Sequence, residues 1–234
     1  MIDFHTHILP GIDDGAVDIR EAIALIEALQ AEEVISAVCT PHFDPSDRSL
    51  QDFVMLRDEA INVLRELVTI ELISASESTL HAYLLNYFDL SALCIGNTRY
   101  LLIELPFHNS WENEVYKILD SLILYHNIIP IIAHIERYPA VSHGSACIKR
   151  LKDIGCVLQL NTSSLLDNKL KKRAVKYIRK GYIDILGSDC HNMTNRPPVI
   201  TEGLRVIEEK FGIKYCRRFE DNAVKILADK DIRE

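Results

Sequence analysis

Seven times along this chain a short, nearly continuous apolar run rich in β-forming residues gives way to an amphipathic helical stretch. No other feature limits the fold as strongly. The runs are the opening stretch through Ile8 and residues 34–40, 68–75, 100–103, 128–133, 156–160 and 183–187. Helical spacing of apolar residues marks 19–29, 50–67, 79–87, 111–125, 147–154, 169–180, 199–210 and 215–227, with Asp18 placed to cap the first of these. Strands apolar on both faces belong in a parallel sheet covered by helices. The pattern therefore predicts an α/β barrel. No linker or low-complexity tract breaks it, so residues 1–234 read as a single domain.

Six of the seven strands are followed within one or two positions by His, Asp or Glu. In a parallel barrel the C-terminal strand ends meet at one mouth, where side chains remote in sequence converge. The opening residues carry His5 and His7, which a strand projects to the same side, and a turn with Pro10, Gly11 and Gly15 holds Asp13 and Asp14. Taken alone, His5 and His7 fit two ordinary strand histidines as well as a pair of metal ligands. The full set is His5, His7, Asp14, His42, Glu77, Glu104, His134, Asp189 and His191. Its four carboxylates would repel one another unless divalent cations stood among them. Nitrogen and oxygen ligands without cysteine suit manganese, iron or zinc better than calcium.

Composition narrows the function further. A formal net charge of -8 argues against a broad nucleic-acid surface. No apolar stretch is long enough to span a bilayer, and the N-terminus lacks a basic region followed by an apolar core, so a cytoplasmic protein is expected. Six cysteines without Cys-x-x-Cys spacing, several in apolar runs, read as reduced thiols.

His5-Thr6-His7, the Asp13-Asp14-Gly15 turn, Pro41-His42, the strand-end Glu77 and Glu104, and Ser188-Asp189-Cys190-His191 resemble the polymerase and histidinol phosphatase (PHP) superfamily. Ala133-His134-Ile135-Glu136-Arg137-Tyr138 and Asn195-Arg196-Pro197-Pro198 narrow the resemblance to the bacterial capsule-locus tyrosine-protein phosphatases, over essentially the whole chain. The resemblance implies a distorted (β/α)7 barrel with up to three metals at its mouth, manganese foremost and iron or zinc as alternatives. It implies that His5, His7, Glu77 and Asp189 bind one ion, that Glu77 bridges to a second held by Glu104 and His134, and that Asp14, His42 and His191 serve a third. It further implies phosphotyrosine hydrolysis by a metal-bridging hydroxide, with a bacterial tyrosine kinase of polysaccharide export as the phosphoprotein. Ser74-Ala75-Ser76-Glu77-Ser78 lacks the glycine and aromatics of that subgroup, so the groove beside this strand is expected to differ.

Arg137 and Arg196 follow His134 and His191 closely enough to reach the same mouth, where two guanidiniums can grip phosphate oxygens. With them, Asp14 and His191 are the candidate catalytic groups. Glu77 and Asp189 are expected to matter more than Asp13. Cys190 to Arg196 spells Cys-x5-Arg, the loop of cysteine-dependent phosphatases, but the segment lacks glycine and Asp189 would raise the thiol pKa. His81, four residues past Glu77, reads as a surface residue, His108 as a rim residue, His126 as a helix C-terminal residue and His143 as a loop residue. The run Lys169, Lys171, Lys172, Arg173 reads as the exposed side of a helix. Three alternatives remain at this stage: a small-molecule phosphomonoesterase like histidinol phosphatase, a non-catalytic metal-stabilised regulatory scaffold, and a nuclease, which the acidic balance and lack of further domains disfavour.

Overall fold

In the computed structural model, which describes residues 1–142 and 144–233, apolar strands and amphipathic helices alternate around a curled parallel sheet. His143, read as a loop residue, lies outside the described residues. Strands β1 (Ile2–Thr6), β2 (Ser36–Cys39) and β4 (Glu71–Ser74) pair in the order β1-β2-β4. Strands β3 (His42–Phe43), β5 (Glu77–Thr79), β6 (Tyr100–Glu104), β7 (Ile129–Ile132), β8 (Val157–Asn161) and β9 (Ile185–Gly187) pair in that order, and every pairing is parallel. β3 prolongs β2 beyond Thr40-Pro41, where proline has no N–H for the ladder, and β5 prolongs β4. The nine segments thus act as seven barrel strands. β9 meets β1 through Asp189 N–H to the His5 carbonyl (2.8 Å) and His7 N–H to the Cys190 carbonyl (2.9 Å), which closes the ring.

Period-two alternation decides what each strand sends inward. Val38, Ala75, Tyr100, Leu102, Ile131, Ala133, Val157 and Ile185 form one buried cluster with Phe4, while their neighbours Leu101, Ile132, Leu158 and Leu186 pack in another cluster, against the helices. Continuing the inward parity up each strand reaches His42, Glu77, Glu104, Gln159 and Asn161. The interior is therefore apolar low in the barrel and polar at the mouth. Ala223 and Ile226 of α7 (Ile213–Leu227) join the interior cluster, and beside them Arg99 pairs with Asp229 (3.0 Å) and the Tyr100 hydroxyl donates to the Lys230 carbonyl (2.7 Å).

The remaining helices are α1 (Ile19–Ala31), α2 (Leu50–Arg65), α3 (Asn113–His126), α4 (Ala146–Asp153), α5 (Lys171–Arg179) and α6 (Ile200–Phe211). Asp18 caps α1, accepting from the backbone N–H groups of Arg20 and Glu21. One expectation fails: residues 79–87 do not form an α-helix. Thr79 instead ends β5, and only a short 3₁₀ turn, Ala82–Asn86, follows, because pairing of β5 between β3 and β6 outweighs the local helical spacing. No helix among the described residues is long and apolar enough to cross a membrane.

Candidate metal centre

His5 and His7 converge as their spacing requires, with Nε2 atoms 3.0 Å apart, but the strand is not regular. A β-bulge between Asp3 and Thr6 lets Phe4 pack in the interior while the next residue, His5, also reaches the mouth. His134 sits one position beyond the inward-facing Ala133 and so would point outward in a regular strand. Its left-handed backbone (φ 31°) redirects it into the site, and Asp189 is also left-handed (φ 57°). The backbone departs from its ordinary regions at two of the residues proposed to carry the chemistry.

Glu77 is the hub. Its Oε2 lies 3.1 Å from His5 Nε2, 3.2 Å from His7 Nε2 and 3.2 Å from His42 Nδ1, while Oε1 lies 2.9 Å from His134 Nε2. Glu104 stands 3.4 Å from His134 Nε2. Asp189 Oδ1 lies 3.4 Å and 3.5 Å from the Nε2 atoms of His5 and His7. Asp14, 64 % exposed, lies 3.3 Å from His191 Nε2 and 3.5 Å from His42 Nε2. All nine candidate ligands are thus brought together. Eight of them offer donor atoms in three overlapping groups, His7, Asp14, His42 and His191; His5, His7 and Asp189; His42, Glu77 and Glu104, while His134 stands outside these groups against Glu77 and Glu104.

These residues fit divalent cations on their own geometry. The ring nitrogens of His5 and His7 that face away from the cluster lie against Gln159 Oε1 (3.4 Å) and Asp13 Oδ2 (2.7 Å), so each turns Nε2 toward the other. Two imidazole nitrogens at 3.0 Å require a proton or a cation between them. Asp189 Oδ1 and His191 Nε2 are buried and have no hydrogen-bond partner, and both face this space.

The electrostatics follow from burial among unlike charges. Burial disfavours charge on His7, yet hydrogen bonds to Asp13 and Glu77 raise its imidazole to about 10. The same opposition, with Glu104 and Glu77, raises His134 to about 9. Burial works against the Glu77 and Asp189 charges, but the nearby histidines hold both carboxyls well below the usual range. His191 moves to about 4, because burial and the charge of His7 oppose its protonation.

Arg137 Nη1 and Arg196 Nη2 meet on one atom, Asp189 Oδ2, at 2.9 Å and 2.7 Å, and Asn161 Nδ2 donates to the same oxygen at 2.7 Å. The two arginines and Asn161 border a cavity of about 420 Å³. The segment Ala133 to Tyr138 acquires a role at nearly every position. Glu136 is buried and accepts from Ser164 Oγ (2.6 Å) and Asn161 N–H (3.2 Å), and the Tyr138 hydroxyl accepts from Leu105 N–H (2.9 Å).

Several residues have roles beyond the sequence reading. Asp13 accepts from His7 Nδ1 and from the backbone N–H of His42 (2.9 Å) and Gly15 (3.0 Å), so it orients a candidate ligand. Gln159 Oε1 accepts from His134 N–H (2.6 Å). The alternation Val157-Leu158-Gln159-Leu160-Asn161 was the available signal for Gln159 and Asn161, which share the inward face with Val157. Arg173 is not simply an exposed basic residue, since its guanidinium donates to the Glu136 carbonyl (2.6 Å) and Ser142 Oγ (2.8 Å). His81 does not share a helix face with Glu77; it caps the 3₁₀ turn by accepting from Tyr83 N–H (3.1 Å). His108 and His81 border a separate cavity with Glu112 and Glu114, and His126 ends α3. Cys190 is fully buried in an apolar cluster with its thiol pushed up by burial and by Asp3, which removes it as a nucleophile.

Comparison with known proteins agrees with this geometry. Residues 1–228 match the family described as capsular polysaccharide synthesis, CpsB/CapC. A tyrosine-protein phosphatase CpsB of Streptococcus agalactiae serotype V is 30 % identical over 243 residues, covering 97 % of this chain and 98 % of that protein. A CpsB of Streptococcus pneumoniae is 30 % identical over 254 residues, covering 98 % and 99 %. A crystal structure from work on YwqE of Bacillus subtilis and CpsB of S. pneumoniae, described as unique metal-dependent tyrosine phosphatases, superposes with a TM-score of 0.87 at 26 % identity, covering 98 % of this chain and 95 % of that one. The fold is also that of a Lactococcus lactis histidinol phosphate phosphatase solved with zinc, L-histidinol and phosphate, at a TM-score of 0.56 and 14 % identity over 89 % of this chain and 92 % of that one. The chain belongs to the CpsB/CapC family of capsular polysaccharide synthesis proteins.

Proposed function

We propose that this chain is a metal-dependent protein-tyrosine phosphatase acting, in the cytoplasm, on a bacterial tyrosine kinase that controls capsular or extracellular polysaccharide synthesis. The observation that carries the reading is the meeting of Arg137 and Arg196 on Asp189 Oδ2, directly beside a buried cluster of imidazoles and carboxylates. Membership of the CpsB/CapC family and the tyrosine phosphatases among its relatives support the substrate class.

Three divalent ions per chain, manganese foremost and iron or zinc as alternatives, are assigned to the cluster. His5, His7, Glu77 and Asp189 would hold one, Glu77, Glu104 and His134 a second, and Asp14, His42 and His191 a third. Bound there, such ions neutralise the carboxylates and lower the pKa of water toward about 7. Asp13 and Gln159 keep His7 and His5 turned toward the cluster. Arg137 and Arg196 each spend an N–H on Asp189, which fixes the guanidinium and leaves further donors for the non-bridging phosphate oxygens. Asp14 is the most exposed of the four carboxylates. A phenolate, with a conjugate acid near pKa 10, departs with far less protonation than a serine alkoxide.

The test is turnover of a phosphotyrosine peptide beside a phosphoserine peptide and histidinol phosphate, after exhaustive chelation and after refilling with manganese, iron or zinc. Phosphotyrosine should be the fastest substrate, and chelation should abolish its hydrolysis. Arg137→Ala and Arg196→Ala should each lower kcat/KM by about 10²–10³-fold with bound metal unchanged. Full activity in chelated protein, or a faster phosphoserine or histidinol phosphate reaction, overturns the reading. Absence of hydrolysis with every metal favours the regulatory scaffold.

A further inference from the structure

The ligand cluster and the two arginines account for recognition of a phosphoryl group but not of the ring that bears it. Phe107, three residues past Glu104, is 46 % exposed at the mouth. Its ring centroid lies 5.8 Å from that of His134 and 4.8 Å from that of Tyr138, and the Arg137 Cζ lies 5.8 Å from it. The backbone beneath is pinned. The Pro106 carbonyl accepts both His108 N–H (2.8 Å) and Trp111 Nε1 (2.9 Å), which makes Phe107 the centre of a three-residue turn. Below it Tyr138 is fully buried, with Trp111 edge-on at 5.3 Å. A phenyl ring left half in water forgoes the gain of burial, yet this one is held in place on an aromatic floor.

We propose that Phe107 is the platform on which the substrate's aromatic ring stacks, a specificity-determining residue that rests on the phosphotyrosine reading above. In phosphotyrosine a single ester oxygen separates phosphorus from the ring. A phosphoryl group gripped by Arg137 beside His134 therefore puts its ring next to both, and Phe107 is the aromatic group already next to both. Aromatic pairs at centroid separations of about 4.5–7 Å gain beyond simple area burial, and an alkyl phosphate has no ring to share in this. Contact made equally in ground and transition states changes KM more than kcat.

The test uses metal-loaded wild-type protein and the Phe107→Ala, Phe107→Leu and Phe107→Tyr variants, with phenylphosphonate and methylphosphonate as non-hydrolysable probes measured by calorimetry and turnover of a phosphotyrosine peptide measured alongside. Phe107→Ala and Phe107→Leu should weaken phenylphosphonate and raise KM for the peptide about tenfold, while methylphosphonate changes less than about twofold. Phe107→Tyr should restore both, with bound metal the same throughout. Equal weakening of the two phosphonates, or a Phe107→Leu variant matching wild type, overturns the platform: the ring would then act only by supporting Arg137 and the loop. That outcome leaves phosphotyrosine hydrolysis standing. Wild-type protein that binds both phosphonates alike and turns over no phosphotyrosine peptide overturns the underlying reading together with the platform.

Discussion

Asp13 and Asp14 are neighbours in sequence with unlike surroundings. The side chain of Asp13 is almost wholly buried and holds His7 Nδ1, whereas Asp14 stands open at the mouth beside His42 and His191. Two adjacent aspartates in a turn give no sign of which faces inward; the turn itself packs tightly on His7, since a Cβ at Gly15 would stand 2.1 Å from the His7 carbonyl oxygen. Asp13 orients a candidate ligand, and Glu77 touches four histidines. Glu77→Ala should therefore lose metal and activity together. Asp13→Ala should weaken metal affinity about 10–100-fold and recover activity in excess manganese. Metal counting with a manganese titration of activity separates the two, and a Glu77→Ala protein with wild-type metal content and rate would refute the ligand set. The histidines also set a pH dependence for protein stripped of metal. His7 at about 10 and His134 at about 9 lie above the unfolded value of about 6.5, so their contribution is full below that value and lost as pH rises through 9 to 10. The melting temperature of chelated protein should fall between pH 7 and 9.5. Manganese-refilled protein should lack that fall, because ions bind the deprotonated ring. A flat profile in the stripped protein would show that these imidazoles share no protons with the carboxylates.

Among the elements, the strands were the most legible in the sequence, because apolar runs ending in a polar residue carry both their burial and their direction. His42, Glu77 and Glu104 lie on the inward parity of their strands, so the alternating pattern alone delivers them. His5 and His134 do not obey that parity. The first needs a bulge and the second a left-handed residue, and neither device leaves a mark in a single sequence where no glycine or proline announces it. Residues 79–87 misled for the opposite reason: helical spacing was present, but the gap between two strands claimed the segment's start. Closure of the ring depends on Gly187, whose missing side chain lets β9 lie on β1; a Cβ would stand 2.6 Å from His5 Cβ. Gly187→Ala should cost about 1–3 kcal/mol or more, a fall in melting temperature of at least several degrees, and should lower metal affinity because it shifts His5. An unchanged melting curve and metal content would show that the two strands separate without harm.

At the scale of the molecule, the sequence disclosed a mouth but not its inner scaffolding. Gln159, Asn161 and Glu136 join β8 to the loops after β7 and β9 through side-chain hydrogen bonds, partnerships that exist only once the strands stand next to one another. The first candidate ligands, His5 in β1 and His7 just past its end, and the last, Asp189 and His191 after β9, belong to strands that are direct neighbours. Translation therefore delivers the first two candidate ligands roughly 10–40 s before the last two, at about 5–20 residues per second. During that interval the chain carries seven of the nine candidate ligands, but β1 still lacks the neighbouring strand that closes the ring around them. The full set of nine candidate ligands can therefore assemble only after β9 and the residues that follow it have been made.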